Sequence, residues 1–236
     1  MEPQHIKARP EDVARKAVIS GDPARVAQLW TLLKRPRLVN ENRGFPTYTG
    51  EYKGEELTVA CHGIGGPSVA IVVEELIMLG AKVIVRLGSC GGLLKPMKVG
   101  DIVIATGAGY TSGTLDQYFG RKIAPRPDGE LTALLAGSAK KEWVRYYTGR
   151  VFSSDAFYAE GPDALRQLAR KGYVAIEMEC ATLFGLGKLR RVKTASVLMV
   201  NDNAVRAEPI VDADALRRYA MRTGEMVFAS LHQFRL

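Results

Sequence analysis

Short apolar runs and longer amphipathic segments alternate along almost the whole chain. The short runs are rich in β-branched residues and are followed by small or polar residues, a pattern that predicts strands. They cover residues 17–20, 57–61, 83–87, 101–106, 147–152, 174–178 and 194–200. The longer segments carry apolar residues three or four positions apart, which is typical of helices. These helices are predicted over residues 67–79, 131–141, 162–171, 180–190 and 213–233.

This alternation predicts an α/β fold with one mixed central β-sheet and helices on both of its faces. No repeat, linker or change of composition divides the chain, so residues 1–236 are predicted to form one domain. In such a sheet ligands gather beyond the strand ends, so we expect the loops after the strands to carry the chemistry. Those loops hold Gly, Arg and acidic residues, at positions 21–25, 62–67, 88–92, 153–155 and 201–203.

The composition indicates a globular protein with a basic balance of charge. Hydrophobic residues make up 47% of the chain and charged residues 25%, which argues against disorder. The net charge of +8 leaves open a basic nucleotide or nucleic-acid binding protein, which is a different class from an enzyme. Because Lys and Arg are spread along the chain, we expect no nucleic-acid partner and interpret the excess as an attraction for small anions.

Nothing in the sequence indicates a metal, a membrane or export. The cysteines at positions 61, 90 and 180 lack the pairwise spacing of a metal site, and the histidines are scattered. No apolar stretch reaches the roughly 18 residues that a spanning helix needs, and residues 1–9 carry charges and no apolar core region. We therefore expect a cytoplasmic protein with reduced thiols and no membrane partner.

Arg86 lies near the end of a predicted strand, directly before the glycine-rich residues 88–92. Glycines let backbone amides turn toward one anion, and Ser89 adds a hydroxyl donor. A guanidinium holds phosphate through two parallel hydrogen bonds, which Lys does not reproduce. This segment is therefore a candidate phosphate cradle, and the alternative is a plain turn followed by a paired arginine.

A second glycine and arginine follow the first predicted strand. Gly21 and Arg25 flank Pro23, which is suited to the first turn of a helix whose amides favour negative charge. The alternative from this segment alone is that Asp22 caps the helix and Arg25 is solvated.

Three carboxylates lie at predicted strand ends. Glu177 and Glu179 flank the start of a helix on opposite faces, so one of them is expected to point into the cleft. A carboxylate accepts hydrogen bonds from both hydroxyls of a vicinal diol and favours an oxocarbenium ion, so it is suited to ribose. Asp202 follows another apolar strand. The alternatives are a helix-start role for Glu179 and an Asx turn at Asp202.

Two aromatic residues, Phe157 and Tyr158, follow the predicted loop 153–155. Either ring could stack on a flat base, although aromatic residues near strand ends also pack in cores. No order of Ser, His and Asp, or of Cys and His, indicates a nucleophilic triad.

Taken in this order, the segments resemble the hexameric nucleoside phosphorylase family from end to end. The likeness also includes residues 40–44 and 176–179. Residues 151–160 and 177–184 look most similar to archaeal members that act on purine nucleosides and 5′-methylthioadenosine. The resemblance implies a pentosyltransferase of purine salvage, which phosphorolyses purine nucleosides, including 5′-methylthio nucleosides, reversibly to the free base and (methylthio)ribose 1-phosphate.

The resemblance also implies a role for each candidate residue. Asp202 matches the acid that protonates N7 of the purine. The positions that match phosphate ligands are Gly21, Arg25, Arg43, Arg86 and Ser89. The positions that match ribose ligands are His5, Met178 and Glu179, and those that match base ligands are Phe157, Glu177 and Asn201. In the family, His5 and Arg43 are lent by a neighbouring subunit, which implies a homohexamer built as a trimer of dimers.

The resemblance implies no metal and no organic cofactor, because phosphate is the nucleophile and a side chain is the acid. Asn201 stands where many purine enzymes have Ser. A family arginine that assists the acid from the final helix matches Arg217, Arg218 or neither.

Two alternatives remain within the enzyme class. Uridine phosphorylase is the nearest, because residues 181–183 and 200–201 are also similar to it, although no Gln-x-Arg follows Tyr158. A hydrolytic nucleosidase would not need arginines at positions 25, 43 and 86. The choice among inosine, guanosine, adenosine and methylthioadenosine depends on a pocket difference of about one methylene or one exocyclic group.

Overall fold

The computed structural model describes residues 2–111, 113–142, 144–211 and 213–236. Its centre is a mixed sheet of nine strands. The strands are β1 (Lys16–Ser20), β2 (Lys34–Asn40), β3 (Thr47–Tyr52), β4 (Glu55–Cys61), β5 (Val83–Gly92), β6 (Ile102–Tyr110), β7 (Tyr146–Ser153), β8 (Tyr173–Glu177) and β9 (Lys193–Asn203). Their order across the sheet is β2-β3-β4-β1-β5-β8-β7-β6-β9.

The sheet closes on itself at one end. Strand β9 pairs not only with β6 but also with β5, in parallel, so β5, β8, β7, β6 and β9 form a small barrel. The other end of the described sheet is the edge strand β2, which carries Pro36 between charged residues. Proline and charge on an edge strand oppose pairing with a further chain.

Helices cover both faces of the sheet, as predicted. They are α1 (Pro23–Leu29), α2 (Gly66–Met78), α3 (Thr114–Phe119), α4 (Gly129–Lys141), α5 (Pro162–Arg170), α6 (Cys180–Arg190) and α7 (Ala213–Gln233). Because side chains alternate along a strand, Ile19 of β1 packs in the core beneath α2 and α6. Its neighbour Val18 packs in the second core, beneath α1, α4 and α7.

Every predicted strand and helix is present, but two of the predicted loops are strand. Residues 88–92 belong to β5 and residues 201–203 to β9, where Gly91 pairs with Asp202 and Gly92 with Asn203. Neither segment has an apolar sequence, but the two pair with each other and lengthen the parallel ladder between β5 and β9. The prediction of loops there is therefore wrong. Strands β2 and β3 and helix α3 were not predicted. In the described ranges no helix combines the length and apolar character needed to cross a membrane.

Candidate active site

A cavity of about 770 Å³ opens where β1, β5, β8 and β9 end. It brings together most of the predicted site residues, namely Gly21, Arg25, Arg86, Ser89, Phe157, Glu177, Met178, Glu179, Asn201 and Asp202. The carboxyl ends of parallel strands are where ligands bind in α/β sheets. Two of the predicted residues, His5 and Arg43, do not line this cavity.

Strand alternation sets the direction of Arg86. It shares a face of β5 with Ile84, which packs in the core beneath α2 and α6, so its side chain extends toward α6. The next residue on that face is Gly88, where any Cβ would overlap the guanidinium group. Glycine at 88 therefore leaves room for Arg86, which is 4% exposed at the wall of the cavity.

Arg86 is held by two buried carboxylates. Its Nη2 donates to Oε2 of Glu179, and its Nη1 lies 3.5 Å from Oε2 of Glu177. Both carboxylates approach one guanidinium, so the expectation that they lie on opposite faces is wrong. Residues 178–179 form a bend between β8 and α6, so the alternation of side chains along β8 does not continue to Glu179. Burial opposes the charge on Arg86, but Glu179, Cys180 and Glu177 together outweigh burial and raise the pKa of Arg86.

Glu177 stabilises the start of α6. Its Oε2 accepts from the backbone amides of Glu179, at 2.8 Å, and Cys180, at 2.9 Å. Its Oε1 accepts from the hydroxyl of Ser153. A carboxylate at this position satisfies free amides and interacts favourably with the helix dipole. The helix-start role considered for Glu179 thus belongs to Glu177, whose base-binding role stays a prediction.

Glu179 is the carboxylate that faces the cavity with a fixed orientation. Its Oε1 accepts from the amide of Gly65, at 2.7 Å, in the turn between β4 and α2. Gly65 adopts φ 85°, in the region where glycine carries no steric penalty. Burial opposes ionisation of Glu179, but Arg86, His62 and the Gly65 amide together outweigh burial, so the pKa of Glu179 lies below its ordinary value.

Arg25 is buried, and no described carboxylate forms an ion pair with it. Asp22 caps α1 by accepting from the amide of Ala24 at 2.8 Å, as considered from the sequence, but Arg25 is not solvated, being 7% exposed. Its Nη1 donates to Ser20 Oγ at 3.2 Å and Leu87 O at 3.5 Å. Among the described residues it forms no ion pair. Burial lowers its pKa, Asp22 opposes that shift and Arg86 adds to it.

His62 packs against the turn at Gly21, and no functional role was predicted for it from the sequence. It is fully buried, and neither ring nitrogen has a hydrogen-bond partner in the described part of the chain. Burial lowers its pKa to about 3, so the ring is neutral near pH 7. A Cβ at residue 21 would lie 2.7 Å from Gly63 O and 3.3 Å from the His62 ring, so only glycine fits this turn.

Asp202 lines the same cavity. It is 8% exposed, and burial, followed by the charges of Glu160 and Glu208, raises its pKa to about 6. A carboxyl group with a pKa near neutrality is suited to general acid catalysis. Next to it, the buried Oδ1 of Asn201 has no partner among the described residues.

Aromatic rings line the same cavity. Phe157 is 45% exposed and Tyr158 fully exposed, with centroids 5.1 Å apart in an edge-to-face arrangement. These rings are therefore not core residues, and stacking on a base stays open to them. Met178 and Ser89 are partly buried on the wall.

His5 does not line the cavity and is anchored by Glu75 of α2. The buried carboxylate of Glu75 accepts from the amides of Gln4, His5 and Ile6 at 2.6–3.1 Å, and from His5 Nδ1 at 2.7 Å. Burial opposes its charge, but the Ile6 amide and the other donors outweigh burial and lower its pKa. Sequence reasoning missed Glu75, because a single Glu on a helix carries no signal of its partners.

Replacing Glu75 with Ala is expected to lower the free energy of unfolding by about 2–4 kcal/mol, because several buried donors lose one acceptor. Urea denaturation measures the loss. Glu74→Ala is the matched control, since it removes the neighbouring ion pair with Arg190 and is expected to cost about 1 kcal/mol or less. A loss for Glu75→Ala no larger than for the control would contradict the anchoring role.

Arg43 is exposed and lies in a short 3₁₀ turn, Asn42–Gly44. Its φ of 56° is in the left-handed region, which non-glycine residues adopt at an energetic cost. Its role at a neighbouring site stays a prediction. Arg217 and Arg218 are exposed on α7 and do not line the cavity.

The described ranges contain no group of His, Cys, Asp and Glu arranged to hold a metal ion. Two guanidinium groups, two buried glutamates, an aspartate with a raised pKa and aromatic rings surround one space.

Comparisons with known proteins agree with this arrangement. The chain is 35% identical to a purine nucleoside phosphorylase, DeoD-type, of Roseobacter denitrificans over 96% of this chain and 97% of the relative. It is 36% identical to a guanosine phosphorylase of Halorubrum lacusprofundi over 85% and 83% of the two chains. It is 38% identical to a uridine phosphorylase of Treponema pallidum over 86% and 83%.

A solved structure shows the same fold. The uridine phosphorylase of Vibrio fischeri, complexed with 6-hydroxy-1-naphthoic acid, superposes with a TM-score of 0.88 at 29% identity, covering 99% of this chain and 97% of the other. The family model described as the phosphorylase superfamily matches residues 15–232. The chain belongs to the phosphorylase superfamily of nucleoside phosphorylases.

Proposed function

We propose that this protein is a purine nucleoside phosphorylase whose site uses the residues predicted from the sequence. The observation that carries the proposal is the buried Arg25, which forms no ion pair with any described residue, beside Arg86 in a cavity that also holds a protonatable Asp202. Two buried cations repel each other, and a phosphate dianion would satisfy both through charge-assisted hydrogen bonds. A hydrolytic nucleosidase has no use for such a pair.

The reaction follows from these positions. Arg25, Arg86, Ser89 and the turn at Gly21 hold phosphate, and Glu179 accepts hydrogen bonds from the ribose hydroxyls. A phosphate oxygen forms a bond to C1′ of the ribose while the bond from C1′ to N9 of the purine breaks. The electron pair of the broken bond moves into the base. Asp202 donates its proton to N7, so the base leaves neutral. The products are the free purine and ribose 1-phosphate.

The proposal extends to the whole chain and its assembly. Residues 1–236 form one phosphorylase domain, which needs no cofactor and acts in the cytoplasm. Phe157, Glu177, Asn201 and Met178 complete the contacts to base and ribose. His5 and Arg43, which lie outside their own cavity, serve the neighbour's site in a homohexamer.

Base release from purine nucleosides is expected to require inorganic phosphate and to yield ribose 1-phosphate. The assay follows free base by chromatography with inosine, guanosine, adenosine and methylthioadenosine, with and without phosphate. Release at the same rate in phosphate-free buffer would identify a nucleosidase instead. The same panel identifies the preferred purine.

Uridine phosphorylase is the second candidate function, because relatives of that name are as similar to the chain as the purine enzymes. Adding uridine to the panel separates the two. Faster phosphorolysis of uridine than of every purine nucleoside would replace the purine assignment, and the proposed roles of Arg25 and Arg86 would stand.

A further inference from the structure

Residues 204–211 follow β9 and are called here the roof segment; four of them, including Ala204 and Glu208, line the cavity. Glu208 of this segment lines the same cavity as Asp202. The segment is tied to β9 on both sides of the acid, because the amide of Glu208 donates to Asn203 O at 3.2 Å and that of Val211 to Asn201 O at 3.0 Å. Glu208 is thus held at a fixed place relative to Asp202.

Arg206 ties the roof segment to the rest of the barrel. Its Nη2 donates to Met97 O at 3.0 Å and lies 2.7 Å from Oε1 of Glu208. Its backbone amide donates to Oδ1 of Asn203, whose Nδ2 in turn donates to Met97 O. The guanidinium therefore both neutralises Glu208 and fixes the direction of its carboxylate.

The charges that act on Asp202 come from two elements packed around it. Burial is the largest cause of the raised Asp202 pKa. The two charges that add to it are Glu160, which precedes α5, and Glu208 of the roof segment, and both disfavour the ionised form of Asp202. The thiol of Cys90 on β5 also faces Asp202. Burial, followed by the charge of Glu177, raises the pKa of this thiol, and Asp202 adds to that shift, so the thiol is neutral.

We propose that Glu208 and Arg206 are positioning residues for the acid: Glu208 keeps the proton on Asp202, and Arg206 limits how strongly it does so. This inference rests on the proposed function, in which Asp202 donates that proton to the leaving base. A carboxyl group that must be protonated loses activity as the pH rises through its pKa, here about 6. Glu208 and Arg206 together set the pH at which this loss of activity occurs.

The test is the pH profile of kcat/KM on an unactivated purine nucleoside, at matched phosphate, for two variants. Glu208→Gln removes a repelling charge, so the decline is expected about 0.5–1 pH unit lower than in the wild type. Arg206→Met leaves Glu208 unneutralised, so the decline is expected to move to higher pH. Opposite shifts distinguish an electrostatic role from a loss of structure, which would lower activity without moving the profile in opposite directions.

The exposed pair Glu56 and Arg37, 2.9 Å apart and outside the cavity, provides matched controls. Glu56→Gln and Arg37→Met are expected to leave the profile unchanged. Unmoved profiles for the roof variants, or shifts in one direction for both, would overturn the inference while leaving phosphorolysis established. If no nucleoside is cleaved, the proposed function fails, and ¹³C NMR titration of the Asp202 carboxyl, assigned with Asp202→Asn, still tests the two shifts.

Discussion

Asp202→Asn is expected to lower turnover on unactivated purine nucleosides by about 100-fold or more. Asn has the shape of Asp but no proton to donate, so the base must leave as an anion. Steady-state kinetics at saturating phosphate measure the loss. The size of the effect follows from the environment of the acid, since burial and neighbouring carboxylates favour the protonated form in the wild type.

7-Methylguanosine is the control substrate, because its N7 already carries a methyl group and a positive charge. Its base leaves without protonation, so the same variant is expected to cleave it at nearly the wild-type rate. Equal losses on the two substrates would show that Asp202 has a structural role. Unchanged turnover on both would show that the acid lies elsewhere.

The sheet and its helices could be predicted because the sequence records which side of each element is buried. In β5 the run Val83 to Leu87 is buried on both faces, which leaves a clear apolar signal. The edge strand β2 has mostly exposed positions and a proline, so nothing in its pattern distinguishes it from a loop. The ends of β5 and β9 were missed because glycine and polar residues form strand there only through pairing with each other.

Residue types at the site could be predicted, but their contacts could not. Strand ends rich in glycine and arginine indicated an anion, and Arg86 does line the cavity. Its bond to Glu179 spans 93 positions in the chain and depends on the start of α6 and on the register of β5. The capping by Glu177 and the anchor at Glu75 likewise arise from packing, which no local pattern records.

The proposed exchange of residues between subunits makes a prediction that one protomer alone cannot meet. Arg43 is exposed and outside its own cavity, whereas Asp202 is buried within it. In a two-fold dimer an isologous contact is reciprocal, so each site takes Arg43 from one chain and Asp202 from the other. Arg43→Ala and Asp202→Asn are therefore suited to complementation. Arg86→Ala is less suited, because it would leave two buried carboxylates unpaired, at about 3–5 kcal/mol.

Arg43→Ala and Asp202→Asn are each expected to be nearly inactive alone on an unactivated purine nucleoside, and mixing these two variants should restore activity. In a mixed pair one site carries both defects and the other none, so random pairing leaves roughly a quarter of all sites intact. Subunit exchange is confirmed by native mass spectrometry. The control is the Arg43→Ala, Asp202→Asn double variant mixed equally with wild type. Roughly a quarter of the sites should be intact if Arg43 serves the neighbour's site, and roughly half if Arg43 serves its own chain. No recovery in the first mixture, together with half activity in the second, would place Arg43 outside the neighbour's site.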